Sequence, residues 1–185
     1  MSKYNLELKE AVSNFRNSCK DMGQFLMREG KNVPITFTVL NQTPDNKFVM
    51  GVIPSVHEVY DPNDKSAFVG FIKMIIATMR PVAIGFVTEA WLVKRDKDKY
   101  LDRGMRVSEQ PDKKEVVIVQ VETFTGSSIT IYDIIRDGED ITLKVDTEEE
   151  NIDKKDTEGI FTNLLKENYD KLHKEFMQNI ENSKN

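Results

Sequence analysis

Val82-Ala83-Ile84-Gly85-Phe86-Val87-Thr88-Glu89-Ala90-Trp91-Leu92-Val93 and, after a charged interval, Glu115-Val116-Val117-Ile118-Val119-Gln120-Val121-Glu122 decide how this chain folds. Both stretches are rich in β-branched and aromatic residues, which predicts two strands. Strands that are apolar on two faces need cover on both, so the pair is expected to run antiparallel in the middle of a sheet. Trp91, the single tryptophan, is expected to be buried there with its indole N–H satisfied. The connector Lys94 to Lys114 carries eight basic residues (Lys94, Arg95, Lys97, Lys99, Arg103, Arg106, Lys113, Lys114) against five acidic ones (Asp96, Asp98, Asp102, Glu109, Asp112), a local charge of +3. A connector that long without helical periodicity is unusual in a compact domain and is either functional or mobile. It is expected to fold over the ends of the two strands, anchored by Arg106 and Glu109 and stiffened at its exit by Pro111.

Toward the N-terminus, Leu8, Val12, Phe15, Cys19, Met22 and Leu26 recur at alternating spacings of four and three, the period of an amphipathic helix over residues 4 to 29. That narrow stripe suits a helix laid across a sheet, with a coiled-coil seam as the alternative. Val33 to Leu40 and Phe48 to Val56 read as a hairpin around Pro44, Asp45 and Asn46. Ala67 to Met79 is apolar nearly all round and reads as a buried central helix ended at Arg80-Pro81. Toward the C-terminus, Ser127 to Ile135 and Ile141 to Val145 alternate, with Asp137-Gly138 as the hairpin signal between them and Ile129, Ile131, Ile141, Leu143 and Val145 expected on one face. Glu139 to Glu158 holds nine acidic residues against three lysines, which marks residues 146–157 as an acidic linker. A last amphipathic helix is expected over Glu158 to Ile180.

The resulting order of elements predicts one α+β domain over residues 1–185. It combines a mostly antiparallel sheet of about six strands, the usual size of a sheet, with long N- and C-terminal helices and a buried central helix. At 185 residues the chain is long enough to bury a core without disulfides or metals. Cys19 is the lone cysteine and reads as a small buried hydrophobe. No apolar run approaches the length of a membrane span and no leader pattern opens the chain, so a cytoplasmic protein without membrane contact is expected. A net charge of -5 disfavours nucleic acid as the partner, because affinity for it rests on lysine and arginine.

Thr88-Glu89-Ala90-Trp91, followed by Arg106-Val107-Ser108-Glu109-Gln110-Pro111-Asp112-Lys113-Lys114-Glu115, resembles a family of small phage and bacterial proteins to which no activity is assigned. Its members carry Ser-Glu-Ala-Trp and then Arg-Pro-Ser-Glu-His-Pro-Asp-Arg-Arg-Glu. The departures here are Thr88 for Ser, Val107 for Pro, Gln110 for His, and Lys113 and Lys114 for the two arginines. The resemblance spans about forty residues and implies a phage or mobile-element context, in the host cytoplasm or the virion, without implying a chemistry.

No nucleotide-binding glycine loop, serine-nucleophile elbow or zinc spacing is present, and the two histidines, His57 and His173, are far apart in sequence. The pointed cluster is carboxylic. Glu89 and Glu122 interrupt apolar strands, where a buried carboxylate demands a partner, and Glu115 and Asp112 lie close by in sequence. Two functions follow from different classes. One is a non-enzymatic accessory protein that binds a macromolecule, a protein partner or a second copy of itself, through a loop carrying Arg103, Arg106, Glu109 and Asp112. The other is a metal-dependent hydrolase assembled from Glu89, Asp112, Glu115 and Glu122. The sequence names no cofactor and no catalytic residue.

Overall fold

The structure, a computed structural model, describes residues 3–29, 33, 35–53, 65–93, 106–124, 126–138, 140–152 and 164–165. Its elements are α1 (Lys3–Arg28), β1 (Thr36–Gln42), β2 (Phe48–Ile53), α2 (Lys65–Met79), β3 (Ala83–Val93), a single 3-10 turn (Val107–Glu109), β4 (Lys113–Thr123), β5 (Ser127–Asp137) and β6 (Asp140–Ile152). The fold is α+β. All six strands form one sheet in the order β2-β1-β3-β4-β5-β6, and every neighbouring pair is antiparallel.

β3 and β4 hold the centre, paired from Ala83↔Thr123 to Val93↔Lys113. The sheet is covered on both sides, which is why these strands are apolar on both faces. On one face α1 lays Phe15, Cys19 and Met27 against Val87, Val117, Val119, Tyr132 and Leu143. On the other, Ile72, Ile76 and Ala77 of α2 join Leu164 and Leu165 over Phe37, Val39, Ile84 and Phe86. Phe37 and Phe86 are cross-strand partners with ring centroids 4.9 Å apart, inside the range of a favourable aromatic pair. Gly85 lets α1 approach closely: a Cβ there would stand 2.5 Å from Thr38 Oγ1 and 2.9 Å from Cys19 Sγ. α2 ends with Arg80 at φ 49°, its N–H donating to Ile76 O at 2.9 Å, the position that glycine usually occupies after a helix.

Several expectations change. α2 is not enclosed all round, since Met74 and Met79 are exposed while Ile72 and Ile76 are buried. Ile129 and Ile131 pair with Gln120 and Ile118 on the α2 face. Ile141, Leu143 and Val145 pair with Arg136, Ile134 and Tyr132 on the α1 face. The five residues therefore divide between the two faces of the sheet, and alternation within one strand could not reveal which face of a two-sided sheet each strand supplies. Residues 146–152 continue β6 where their charge suggests a linker. They pair with Ser127–Ile131 across a register shift, and an edge strand tolerates acidic side chains on its solvent side. The helix expected over Glu158 to Ile180 falls, apart from Leu164 and Leu165, outside the described residues. Among the described residues no helix is long and apolar enough to cross a membrane.

Candidate binding patch at the ends of β3 and β4

Where β3 ends and β4 begins, alternation sends Glu89 and Trp91 of β3 to the α1 face, and pairing sets Glu115 of β4 opposite Trp91 and Val117 opposite Glu89. Trp91 is 44% exposed, contrary to the burial its strand composition predicts. α1 packs over Gly85 and Val87, three and two alternations before Trp91 on β3, and Trp91 lies beyond that footprint. Lys113 fills part of the gap. Its ammonium lies 5.0 Å from the Trp91 ring centroid, a cation–π distance, and it also donates to Ser108 O, so it fastens the 3-10 turn to the tryptophan. Arg136 of β5 donates to Glu115 Oε2 at 2.6 Å.

Glu89 stands at the inner border of this patch. Its Oε2 accepts the Val33 N–H at 3.1 Å, and its own N–H donates to Val33 O at 3.2 Å, so it ties the segment after α1 to β3. Its carboxyl also hydrogen-bonds the carboxyl of Glu115. Partial burial, followed by that hydrogen bond and the charge of Glu115, holds the Glu89 pKa above its ordinary value against the pull of the Val33 N–H. Partial burial pushes Glu115 upward as well, but the hydrogen bonds from Glu89 and Arg136 outweigh it and leave Glu115 below its ordinary value. Of the pair, Glu115 therefore ionises first and Glu89 keeps its proton to the higher pH.

The remaining expected residues are placed differently. Glu109 Oε2 accepts the Arg106 N–H at 3.1 Å while Glu109 N–H donates to Arg106 O at 2.9 Å, so Glu109 closes the 3-10 turn on the backbone of Arg106 rather than on its guanidinium. This is the reach-back half of a capping box. Arg106 and Asp112 are exposed, and Arg103 lies outside the described residues. Glu122 is 3% exposed and opposes Ile84 on the α2 face. Its partners include backbone: Leu164 N–H donates to Oε2 at 3.1 Å and Leu165 N–H to Oε1 at 2.9 Å.

The four carboxylates therefore do not converge. Glu89 and Glu115 share one face, Glu122 sits on the other, and Asp112 is in an exposed turn. Among the described residues no group of three histidine, cysteine, aspartate or glutamate side chains is placed to hold a metal ion, so the ligand set of the hydrolase reading is not assembled. Lys113 and Arg136 are the members of the patch that sequence reasoning passed over. Lys113 was legible as the residue two before Glu115 on the same face, whereas Arg136 required the β4–β5 register.

No protein-family model, curated protein or solved structure matches this chain.

Proposed function

We propose that this chain is a non-enzymatic accessory protein of a phage or mobile element that works by binding a protein partner, a virion component or a host factor, at the Trp91 patch. The observation that carries this reading is a tryptophan 44% exposed on a central strand, held by Lys113 and bordered by the Glu115–Arg136 ion pair. Tryptophan and arginine are the residues that most often dominate binding energy at interfaces, and a rigid strand presents them at small entropic cost. The Thr88-Glu89-Ala90-Trp91 and Arg106–Glu115 resemblance supports the phage context, and the net charge of -5 favours protein over nucleic acid as the ligand. The host cytoplasm or the virion is the corresponding location.

Affinity capture from host cells producing the full chain tests the reading. A protein retained in stoichiometric amount by the wild type, resistant to nuclease, and lost from Trp91→Ala and Lys113→Glu variants of unchanged circular dichroism is the expected result. A capture profile that both variants leave intact overturns it.

A further inference from the structure

Where β3 ends and β4 begins, the register of the sheet lines up basic side chains across three strands. Val93 pairs with Lys113, and continuing the ladder from Val116↔Asp133 sets Arg136 level with Lys113. Arg136 in turn pairs with Ile141, whose carbonyl accepts the Arg28 Nε–H at 3.2 Å. Arg28 is the last residue of α1, so the helix delivers a guanidinium to the far end of the row. Lys113, Arg136 and Arg28, all exposed, therefore cross β4, β5 and β6 in one line, about 10 Å long for two strand spacings of about 4.8 Å each. Trp91 lies one alternation inward from Val93 on the same face.

Like charges on neighbouring strands repel, and the fold does not use this row to balance its own acids. Elsewhere Arg16, Lys47 and Lys114 each sit against a carboxylate. Within the row only Arg136 does, against Glu115. Lys113 touches the Trp91 ring and Ser108 O, Arg28 touches a carbonyl, and among the described residues neither takes part in an ion pair. The acids that β3 and β4 bring to this face are Glu89 and Glu115, and Arg136 occupies Glu115. Asp137 and Asp140, next in the chain to Arg136 and Ile141, alternate to the α2 face.

We propose that the Trp91 patch receives an acidic segment of its protein partner, whose carboxylates lie along Lys113, Arg136 and Arg28 while an apolar side chain rests on Trp91. This names the chemistry of the partner and rests on the protein-binding reading above. Charge complementarity selects the occupant: the row presents two cations without an acid of their own and a third shared with Glu115, and a basic segment would meet repulsion at each. Arginine and carboxylate also form strong, charge-assisted hydrogen bonds. Phosphates would suit the row too, but a nucleic-acid backbone runs on past it over a chain of net charge -5, whereas a short acidic segment ends where the row ends. The exposed charges set the approach and orientation of the segment, and Trp91 supplies the contact that excludes water.

Trp91 is the single tryptophan, so the tryptophan emission of the full chain reports on this site alone. Titration with a synthetic glutamate-rich peptide carrying one phenylalanine should shift that emission saturably, and the same peptide with lysine in place of glutamate should not. Lys113→Glu and Arg28→Glu, with unchanged circular dichroism, should each weaken the acidic peptide by about fivefold or more, the upper end of what one exposed ion pair contributes. Lys144→Glu, at an exposed position of β6 on the α2 face, should leave its affinity unchanged. Equal weakening by Lys144→Glu would mean that net charge alone acts, and it overturns the row. No response to the acidic peptide, or an equal or stronger response to the lysine peptide or to oligothymidylate, overturns the acidic partner. The capture experiment assumes no charge on the partner, so a basic protein retained through Trp91 would sink this inference and leave the binding reading standing.

Discussion

Glu89 on β3 and Glu115 on β4 stand carboxyl beside carboxyl, diagonal neighbours on one face of the sheet. The arrangement is sustained from both ends. Val33 N–H holds one oxygen of Glu89, and Arg136 holds Glu115 as the charged member.

The opposed shifts of the two carboxyls set a pH dependence whose sign follows from their directions. Glu89 is raised, so its contribution to stability is full below the ordinary glutamate value and is lost as pH rises through its folded pKa. Glu115 is lowered, so its contribution is present above the ordinary value and is lost as pH falls through its folded pKa. The pair therefore stabilises most between those two values and weakens toward neutral and alkaline pH. Glu89→Gln supplies a permanent N–H donor to Glu115 and keeps an acceptor for Val33. It should be more stable than the wild type at pH 8, by a few tenths to about 1 kcal/mol for so exposed a pair, with the gain shrinking toward pH 4.5. Parallel thermal melts across that range check it, and identical pH slopes would count against a raised Glu89.

Two glycines separate close packing from open space. A Cβ at Gly85 would meet Thr38 Oγ1 at 2.5 Å, Cys19 Sγ at 2.9 Å and Phe15 Cζ at 3.2 Å, all in the core beneath α1. Gly85→Ala should cost about 1–3 kcal/mol, the penalty of overpacking. Gly70 is exposed within α2 and a Cβ there meets nothing within 4 Å, so Gly70→Ala should add about 0.5–1 kcal/mol through helix propensity. Urea midpoints of the two variants should move in opposite directions.

The sheet was legible because its strands carry their own signals. The β-branched runs, the Pro44-Asp45-Asn46 turn and Gly138 at φ 60° each act locally, and the central β3–β4 pairing follows from two segments that need cover on both faces. Three things were not local. Trp91 has the composition of a core residue, but its exposure depends on how far α1 reaches over the sheet. The acidic run 146–152 has the composition of a linker, but a complementary strand, β5, pairs it as an edge. Glu122 is legible as a carboxylate in need of a partner, yet its partners include backbone N–H groups more than forty residues away in sequence, and backbone donors leave no mark in composition.

Exposure should make Trp91 dispensable for folding. Trp91→Ala is expected to cost less than about 1 kcal/mol, the cation–π contact with Lys113 at an exposed site being worth about 0.5–1 kcal/mol. Phe37→Ala, which empties a side chain 1% exposed between the sheet and α2, should cost about 3–5 kcal/mol. Chemical denaturation of both variants ranks them. A Trp91 penalty equal to that of Phe37 would return the tryptophan to the core and remove the basis for its role in binding.

Glu122 offers the sharpest test of how the segment at Leu164 and Leu165 is attached to the sheet. Both leucines are buried, at 3% and 1% exposure, and their N–H groups reach separate oxygens of one carboxylate. Glutamine keeps the shape and supplies one acceptor oxygen, but its amide nitrogen is a donor. Whichever way the amide turns, one leucine N–H then faces another N–H. Leaving one buried donor unsatisfied costs about 1–3 kcal/mol, and the loss falls on the contact between this segment and β4 rather than on the ladder of β3 and β4. Glu122→Gln should therefore speed amide exchange at Leu164 and Leu165 by about five- to 150-fold, about 1.4 kcal/mol being a factor of ten. Val117 and Val119, fully enclosed on the α1 face, should stay protected. Equal acceleration at all four positions would mean that Glu122 supports the whole domain, and no acceleration at the leucines would mean that hydrophobic packing alone holds them.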